Sequence, residues 1–208
     1  VSVISKVGED FPQKYIKWLR RRGVDLSFLK RVEGATTTSF ALNYEDGGRR
    51  LTLRGKAPSI EVEDIPDSLR ARVVHVAPIA NEVSYGAVRK LRGLISLLSL
   101  DPQGFLRRFD ERGLVHLERM KDLRVLEEID IYKSSRREIE ALTGESNLLR
   151  AIREVQKYGA DIVMVTGGTE GSTLYVEGRF YKIPASKPRV ITDRTGAGDA
   201  FIGGFLAE

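Results

Sequence analysis

The sequence predicts an α/β fold: a three-layer α/β/α arrangement around a parallel sheet, with a small β-hairpin lid. Two observations carry that prediction. Four short, β-rich apolar runs, RVVHVA (72–77), LISLLSL (94–100), IDIYK (129–133) and DIVMVTGG (161–168), are separated by helical patterns. Strands apolar along nearly their whole length belong to sheets covered on both faces, and alternation with helices makes such sheets parallel. A polar, Thr-rich hairpin pattern, TTTSFALNYEDGGRRLTLRG (36–55), stands apart from them.

The elements follow in order. VSVISKVGED opens as the middle of a strand running into a Gly turn. Pro12 to Arg22 reads as a helix with Tyr15, Ile16 and Leu19 on one face, and Gly23 stops it. In the Thr-rich segment Phe40, Leu42 and Tyr44 alternate with Ser39, Ala41 and Asn43. EDGG then turns the chain, and Leu51 and Leu53 alternate again. Helical patterns cover Val83 to Leu91, Arg119 to Glu127, Arg136 to Leu142 and Asn147 to Tyr158. STLYVEGRFYKI is a second hairpin turning at Glu177-Gly178. A strand from Val190 to Thr192 then leads through a Gly turn to a last helix, Ala200 to Leu206. The expected division is a core of 1–35 and 57–208, with 36–56 as a lid or dimer-interface element.

Composition narrows the function. Of the 208 residues, 41% are apolar and 30% charged, a balance that fits a folded domain rather than a disordered chain. There is no cysteine, which excludes disulfides and thiolate metal sites, and fits a reducing, cytoplasmic setting. His75 and His116 follow no ligand spacing. The net charge of +5 comes from 34 basic residues interleaved with 29 acidic ones. That surface suits a small polyanion such as a nucleotide, and no Arg–aromatic module supports a nucleic-acid partner. No apolar run is long enough for a membrane span, and no secretory signal pattern is present.

The chemistry concentrates in ITDRTGAGDAFIGGFLAE (191–208). A strand runs into Gly196-Ala197-Gly198, and a helix begins at Asp199. Small residues let the backbone approach an anion, and a helix start offers unpaired N–H groups and partial positive charge. A carboxylate at the lip of such a cradle can take the proton of an attacking hydroxyl. On these residues alone, an ordinary Gly-rich turn with Asp in the first helical turn is an equal reading. The pattern is neither a Walker A loop nor a dinucleotide fingerprint.

D-R-T-G-A-G-D, Asp193 to Asp199, resembles the C-terminal signature of the ribokinase-like (PfkB) carbohydrate kinases. Other segments fall in the family's order. VSVISKVGEDFPQKYIKWLRRRGVD is similar to its strand, V-G-x-D turn, helix and G-V-D. The Thr-rich hairpin resembles its lid, IDIYKSSRREIEALTGE its N-x-x-E and L-T-G segment, and VMVTGGTEGS its T-x-G-x-x-G loop. The resemblance implies a kinase with ATP and Mg²⁺. It makes Asp199 the base and Gly196, Ala197 and Gly198 the anion hole. It gives Thr166, Gly168, Gly171, Lys133, Asp193 and Thr195 to the nucleotide, and Glu138 to the metal through water. Ser135 stands where the family has Asn. LLSLDPQGFLRRF, with Lys133 and Glu138 in a K-x-x-x-x-E pattern, is most similar to the inositol-kinase-like branch and assigns Asp101 and Gln103 to the acceptor. The expected partners are a small sugar or polyol and a second copy of the chain bound through the lid hairpin, with no nucleic acid and no membrane. Family members begin with a further strand carrying a substrate-binding Asp and continue past G-A-G-D, so this sequence is expected to be part of a longer chain.

Overall fold

The computed structural model describes residues 1–45, 48–186, 190, 193 and 195–207. Strand β1 (Ser5–Gly8), helix α1 (Gln13–Arg21) and strand β2 (Leu29–Val32) open the chain, and β1 and β2 pair in parallel as a separate two-stranded sheet. Gly23 ends α1 with φ of 75°, the left-handed conformation that a helix stop requires. The face expected on α1 is shallow. Tyr15 and Trp18 are about half exposed, and only Ile16 and Leu19 are partly covered. Asp64 ties this unit to the rest, because Lys6 of β1 (2.5 Å) and Lys30 of β2 (2.7 Å) both pair with its carboxylate.

Strands β3 (Ser39–Glu45) and β4 (Gly48–Gly55) form the Thr-rich hairpin, with Phe40 opposite Leu53 and Leu42 opposite Leu51. Asp46 and Gly47 of its turn lie outside the described residues. Next come β5 (Val74–Val76), α2 (Tyr85–Leu94), β6 (Leu98–Leu100), the short α3 (Gln103–Leu106), and a hairpin of β7 (Arg107–Phe109) and β8 (Val115–Leu117). The helix expected over Arg119 to Glu127 is absent. A 3₁₀ turn, Leu123–Glu128, takes its place, started by Asp122, whose carboxylate accepts from the Arg124 backbone and guanidinium. Then follow β9 (Ile131–Ser135), α4 (Arg136–Thr143), α5 (Leu148–Gln156), β10 (Ile162–Thr166), the hairpin β11 (Ser172–Val176) and β12 (Arg179–Ile183), and α6 (Ala197–Ala207). The expected strand at Val190 to Thr192 falls largely on Ile191 and Thr192, outside the described residues.

The central sheet runs β12-β11-β10-β9-β6-β5, parallel from β5 to β10 and antiparallel at β11 and β12. Side chains alternate across it. Leu98, Leu100, Tyr132, Val163 and Val165 pack against Val88, Leu91, Ile139 and Ile152 of α2, α4 and α5. Ile131 and Met164, on the opposite face, pack against Ile202 of α6. Helices on both faces make the three layers. Ile202 is the one described side chain of α6 that is buried, and burial of an Ile contributes about 1.5–3 kcal/mol. The other face, with many such residues, carries most of the hydrophobic stabilisation.

The two hairpins touch each other. Leu53 N donates to Gly113 O (2.8 Å), Thr52 bridges to Leu114, and the rings of Phe40 and Phe109 lie 6.4 Å apart. Gly113, at φ of 78°, sits so close to Leu53 that a β-carbon would strike its carbonyl.

Candidate active site

The carboxyl ends of β5, β6, β9 and β10 gather most of the expected site residues at one end of the sheet, where open α/β sheets bind their ligands. Gly196 turns the chain into α6 at φ of 79°. Asp193 accepts from Thr195 N (2.8 Å), a side-chain turn that leads into it, and Ala200 N donates to Gly196 O (2.9 Å) as the helix begins. The helix starts at Ala197, before Asp199, so Asp199 lies in its first turn with its side chain exposed. Arg194 lies outside the described residues.

Register places Lys133 on the α6 face. Lys133 pairs with Met164 across β9 and β10, and Met164 faces Ile202. Lys133 is 4% exposed, and a β-carbon added to Gly198 would lie 2.8 Å from its Nζ. The ammonium thus lies directly under the first turn of α6. Its ion-pair partner is Asp101, 2% exposed, with Nζ to Oδ2 at 2.5 Å. Asp101 Oδ1 accepts from Gln103 N at 3.1 Å.

The acceptor contact expected of Asp101 would fall on a buried carboxylate. Both of its oxygens are engaged, Oδ2 by Lys133 and Oδ1 by the Gln103 amide. Gln103 is half-buried, and its Oε1 accepts from Arg107 Nη2 (2.6 Å). Arg107 also donates to Ile79 O (2.9 Å) and stacks over the Phe40 ring at 5.3 Å. One guanidinium therefore joins the loops after β5 and β6 to the Thr-rich hairpin.

Ser135 and Glu138 form a capping box at the start of α4. Glu138 Oε2 accepts from Ser135 N and Ser135 Oγ, both at 2.6 Å, and Oε1 takes part in neither bond. Among the described residues no group of three or more acidic, His or Cys side chains could hold a metal ion. At the end of β10, Thr166 Oγ1 donates to Ser134 O (3.3 Å). Gly168 is left-handed (φ 61°) with open space where a side chain would stand. Gly171 (φ 89°) has a different reason to be glycine, since a β-carbon there would run into the backbone of Ile183 and Ala185 at the end of β12.

Two groups escape sequence reasoning. His75 Nδ1 lies 3.0 Å from Ser99 Oγ, its register partner on β6, and both share the α6 face. Burial, joined by the positive charge of Lys133 and opposed by the negative charge of Asp199, pulls the His75 imidazole down to about 4. His75 is therefore neutral near pH 7. The signal available in the sequence was a polar residue centred in each of two apolar runs, VHV and LSL.

A sheet of this order, with a glycine-lined helix mouth at its carboxyl end, defines a ribokinase-like fold. The match extends to sequence: residues 1–208 fit the pattern of the pfkB family carbohydrate kinases, and the chain belongs to that family of phosphotransferases. It is 29% identical over 211 residues to the cytidine kinase of Thermococcus kodakarensis, covering 100% of this chain and 73% of that one. It is 28% identical over 215 residues to a fructokinase of Escherichia coli, covering 98% and 69%. Among solved structures, a pyrophosphate-dependent kinase of the ribokinase family superposes with a TM-score of 0.83 at 26% identity, over 99% of this chain and 73% of that one. The same TM-score range (0.82) is reached with a pyrophosphate-dependent kinase of that family complexed with a pyrophosphate analogue and myo-inositol. Among the described residues no helix is long and apolar enough to cross a membrane.

Proposed function

We propose that the protein transfers the γ-phosphoryl group of ATP to a hydroxyl of a small carbohydrate or polyol, with Asp199 as the base. The observation that carries this reading is the stacking of charge at the mouth of α6. An exposed carboxylate stands at the lip, glycines open the backbone, and a buried ammonium lies beneath. The acceptor hydroxyl attacks the terminal phosphorus while Asp199 takes its proton. The amides of Gly196, Ala197 and Gly198 face the charge that builds on the transferred group. Thr166 and Gly168, at the end of β10, lie on the donor side.

Magnesium fits the residues present. It is bound through one or two carboxylates and keeps several waters, and Glu138 supplies one carboxylate with an oxygen outside the capping box. When bound, it would neutralise the donor's phosphates.

The hairpin β3–β4 serves as the lid over the acceptor, with 1–35 and 57–208 as the core, and offers an edge for pairing with a second copy of the chain. The D-x-Q-G-F stretch and the likeness to a structure holding myo-inositol favour a polyol. A nucleoside acceptor is the second reading, favoured by the cytidine kinase relationship.

The test is ADP release from Mg·ATP against inositols, sugars, sugar acids and nucleosides, using the full-length protein and Asp199→Asn. Turnover on one class, reduced about 10²- to 10⁴-fold in kcat by the substitution with donor KM little changed, is the expected result. Equal turnover in both proteins would remove Asp199 from the mechanism, and no turnover on any acceptor would remove the kinase reading.

A further inference from the structure

Phosphoryl transfer at the mouth of α6 calls for positive charge, yet the cation there is matched by an anion. Asp101 and Lys133 are both buried and joined at 2.5 Å. A buried ion pair is a poor device for stability, because apolar side chains of similar volume do as well or better. The position of this one points to another use. Gly198, by having no side chain, leaves room for the ammonium against the first turn of α6.

We propose that Asp101 is an internal competitor for Lys133: it holds the ammonium back while the anion pocket is empty, and yields it when the donor's phosphate oxygens enter. This rests on the phosphoryl-transfer reading above. The exchange is physically easy. Lys133 swaps one charge-assisted hydrogen bond for another without returning to water, so its desolvation is met once, on folding. Its four-carbon stem lets Nζ shift while the strand stays fixed. The partial positive charge of the α6 terminus draws the incoming anion to the same place. Asp101 is not abandoned, since Gln103 N still donates to its other oxygen.

Asp101 therefore lowers donor affinity, and does so by holding the lysine. Loss of a competitor should tighten anion binding even as it weakens the fold.

The experiment measures binding of tripolyphosphate to the full-length protein by calorimetry, with melting temperature, donor KM and kcat in parallel. Wild type is compared with Asp101→Asn, Lys133→Met and the double variant. Asp101→Asn is expected to lower Kd about tenfold and Lys133→Met to raise it about tenfold, the scale of one hydrogen bond to a charged group. The double variant should match Lys133→Met, because Asp101 acts only through the lysine. Unchanged or weaker binding by a cooperatively melting Asp101→Asn would overturn the proposal. Should that variant not fold, a crystal structure of wild type with tripolyphosphate decides. Nζ bonded to a phosphate oxygen supports the exchange, and Nζ still on Asp101 overturns it. The two readings fail separately. The expected binding pattern without turnover on any acceptor would remove the kinase reading and leave the competition standing. Turnover with the same donor KM and the same tripolyphosphate Kd in all four proteins would do the reverse.

Discussion

The Nζ of Lys133 lies 2.8 Å from the place where a β-carbon on Gly198 would stand. Gly198→Ala gains helix propensity of about 1 kcal/mol in α6 and meets overpacking of about 1–3 kcal/mol against a buried, paired side chain. The net loss is about 0–2 kcal/mol, so the melting temperature should fall by no more than several degrees while the ammonium is displaced. The expected result is near-native stability with kcat/KM reduced about tenfold or more. Calorimetric melting and steady-state kinetics on the same preparation check it, and a large loss of stability with unchanged kinetics would count against the geometry.

His75 should make the fold acid-sensitive. Its imidazole is held near 4, below the ordinary value of 6.5, chiefly by burial. Between those values the unfolded chain binds the proton and the folded one does not, so stability rises with pH through this window and falls as pH drops from 6.5 toward 4. The full shift corresponds to about 3 kcal/mol, less whatever solvent still reaches the ring. Urea unfolding at pH 7 and pH 4.5 should show that drop in wild type and a smaller one in His75→Gln.

Asp64 works in the same sense at lower pH, through a carboxylate held charged rather than an imidazole held neutral. Burial alone would raise its pKa, but hydrogen bonds from Lys30 and Lys6 outweigh it and hold the carboxyl at about 2. The stabilisation is present above the ordinary value of 3.8 and is lost as pH falls toward 2. Lys30 is half exposed, so its share is small, and Asp64→Asn should cost about 1–2 kcal/mol at pH 7. Protease protection of the β1–α1–β2 unit should fall with it.

Glu138 caps α4, and the magnesium role proposed for it above can be separated from that by substitution. Glu138→Ala removes the capping-box acceptor and should cost about 1 kcal/mol at the start of α4. Glu138→Gln keeps an acceptor for Ser135 but loses the charge. It should melt like wild type and demand more magnesium for half-maximal rate. Titration of activity with magnesium, beside thermal melts, distinguishes the two.

Much of this was legible in the sequence because it depends on local pattern. The apolar runs at 72–77, 94–100, 129–133 and 161–168 became β5, β6, β9 and β10, and Glu177-Gly178 turns β11 into β12 as its residues require. The expected helix at Arg119 to Glu127 failed because an Asp side chain bonding two residues ahead favours a tighter turn. The β7–β8 hairpin was missed although Asp110 to Gly113 carries turn chemistry, since strands of three residues hold almost no periodicity. For the site, the G-A-G-D stretch announced the helix mouth, but nothing local says that Asp101 and Lys133, 32 positions apart, close into one buried pair. Nor does a spacing rule give Arg107 its stack on Phe40. Such contacts are set by sheet register across distant segments.

The clasp between the two hairpins turns the Thr-rich element into one bar of a linkage rather than a free flap. Leu53 is fastened to Gly113, β8 is fastened to β7, and β7 continues without a break from α3, whose first residue holds Asp101 by its amide. A displacement of β3 and β4 would pull on this train, and its far end is the carboxylate paired with Lys133. If the hairpin closes over an acceptor as proposed above, closure at one end of the cleft would be felt at Lys133.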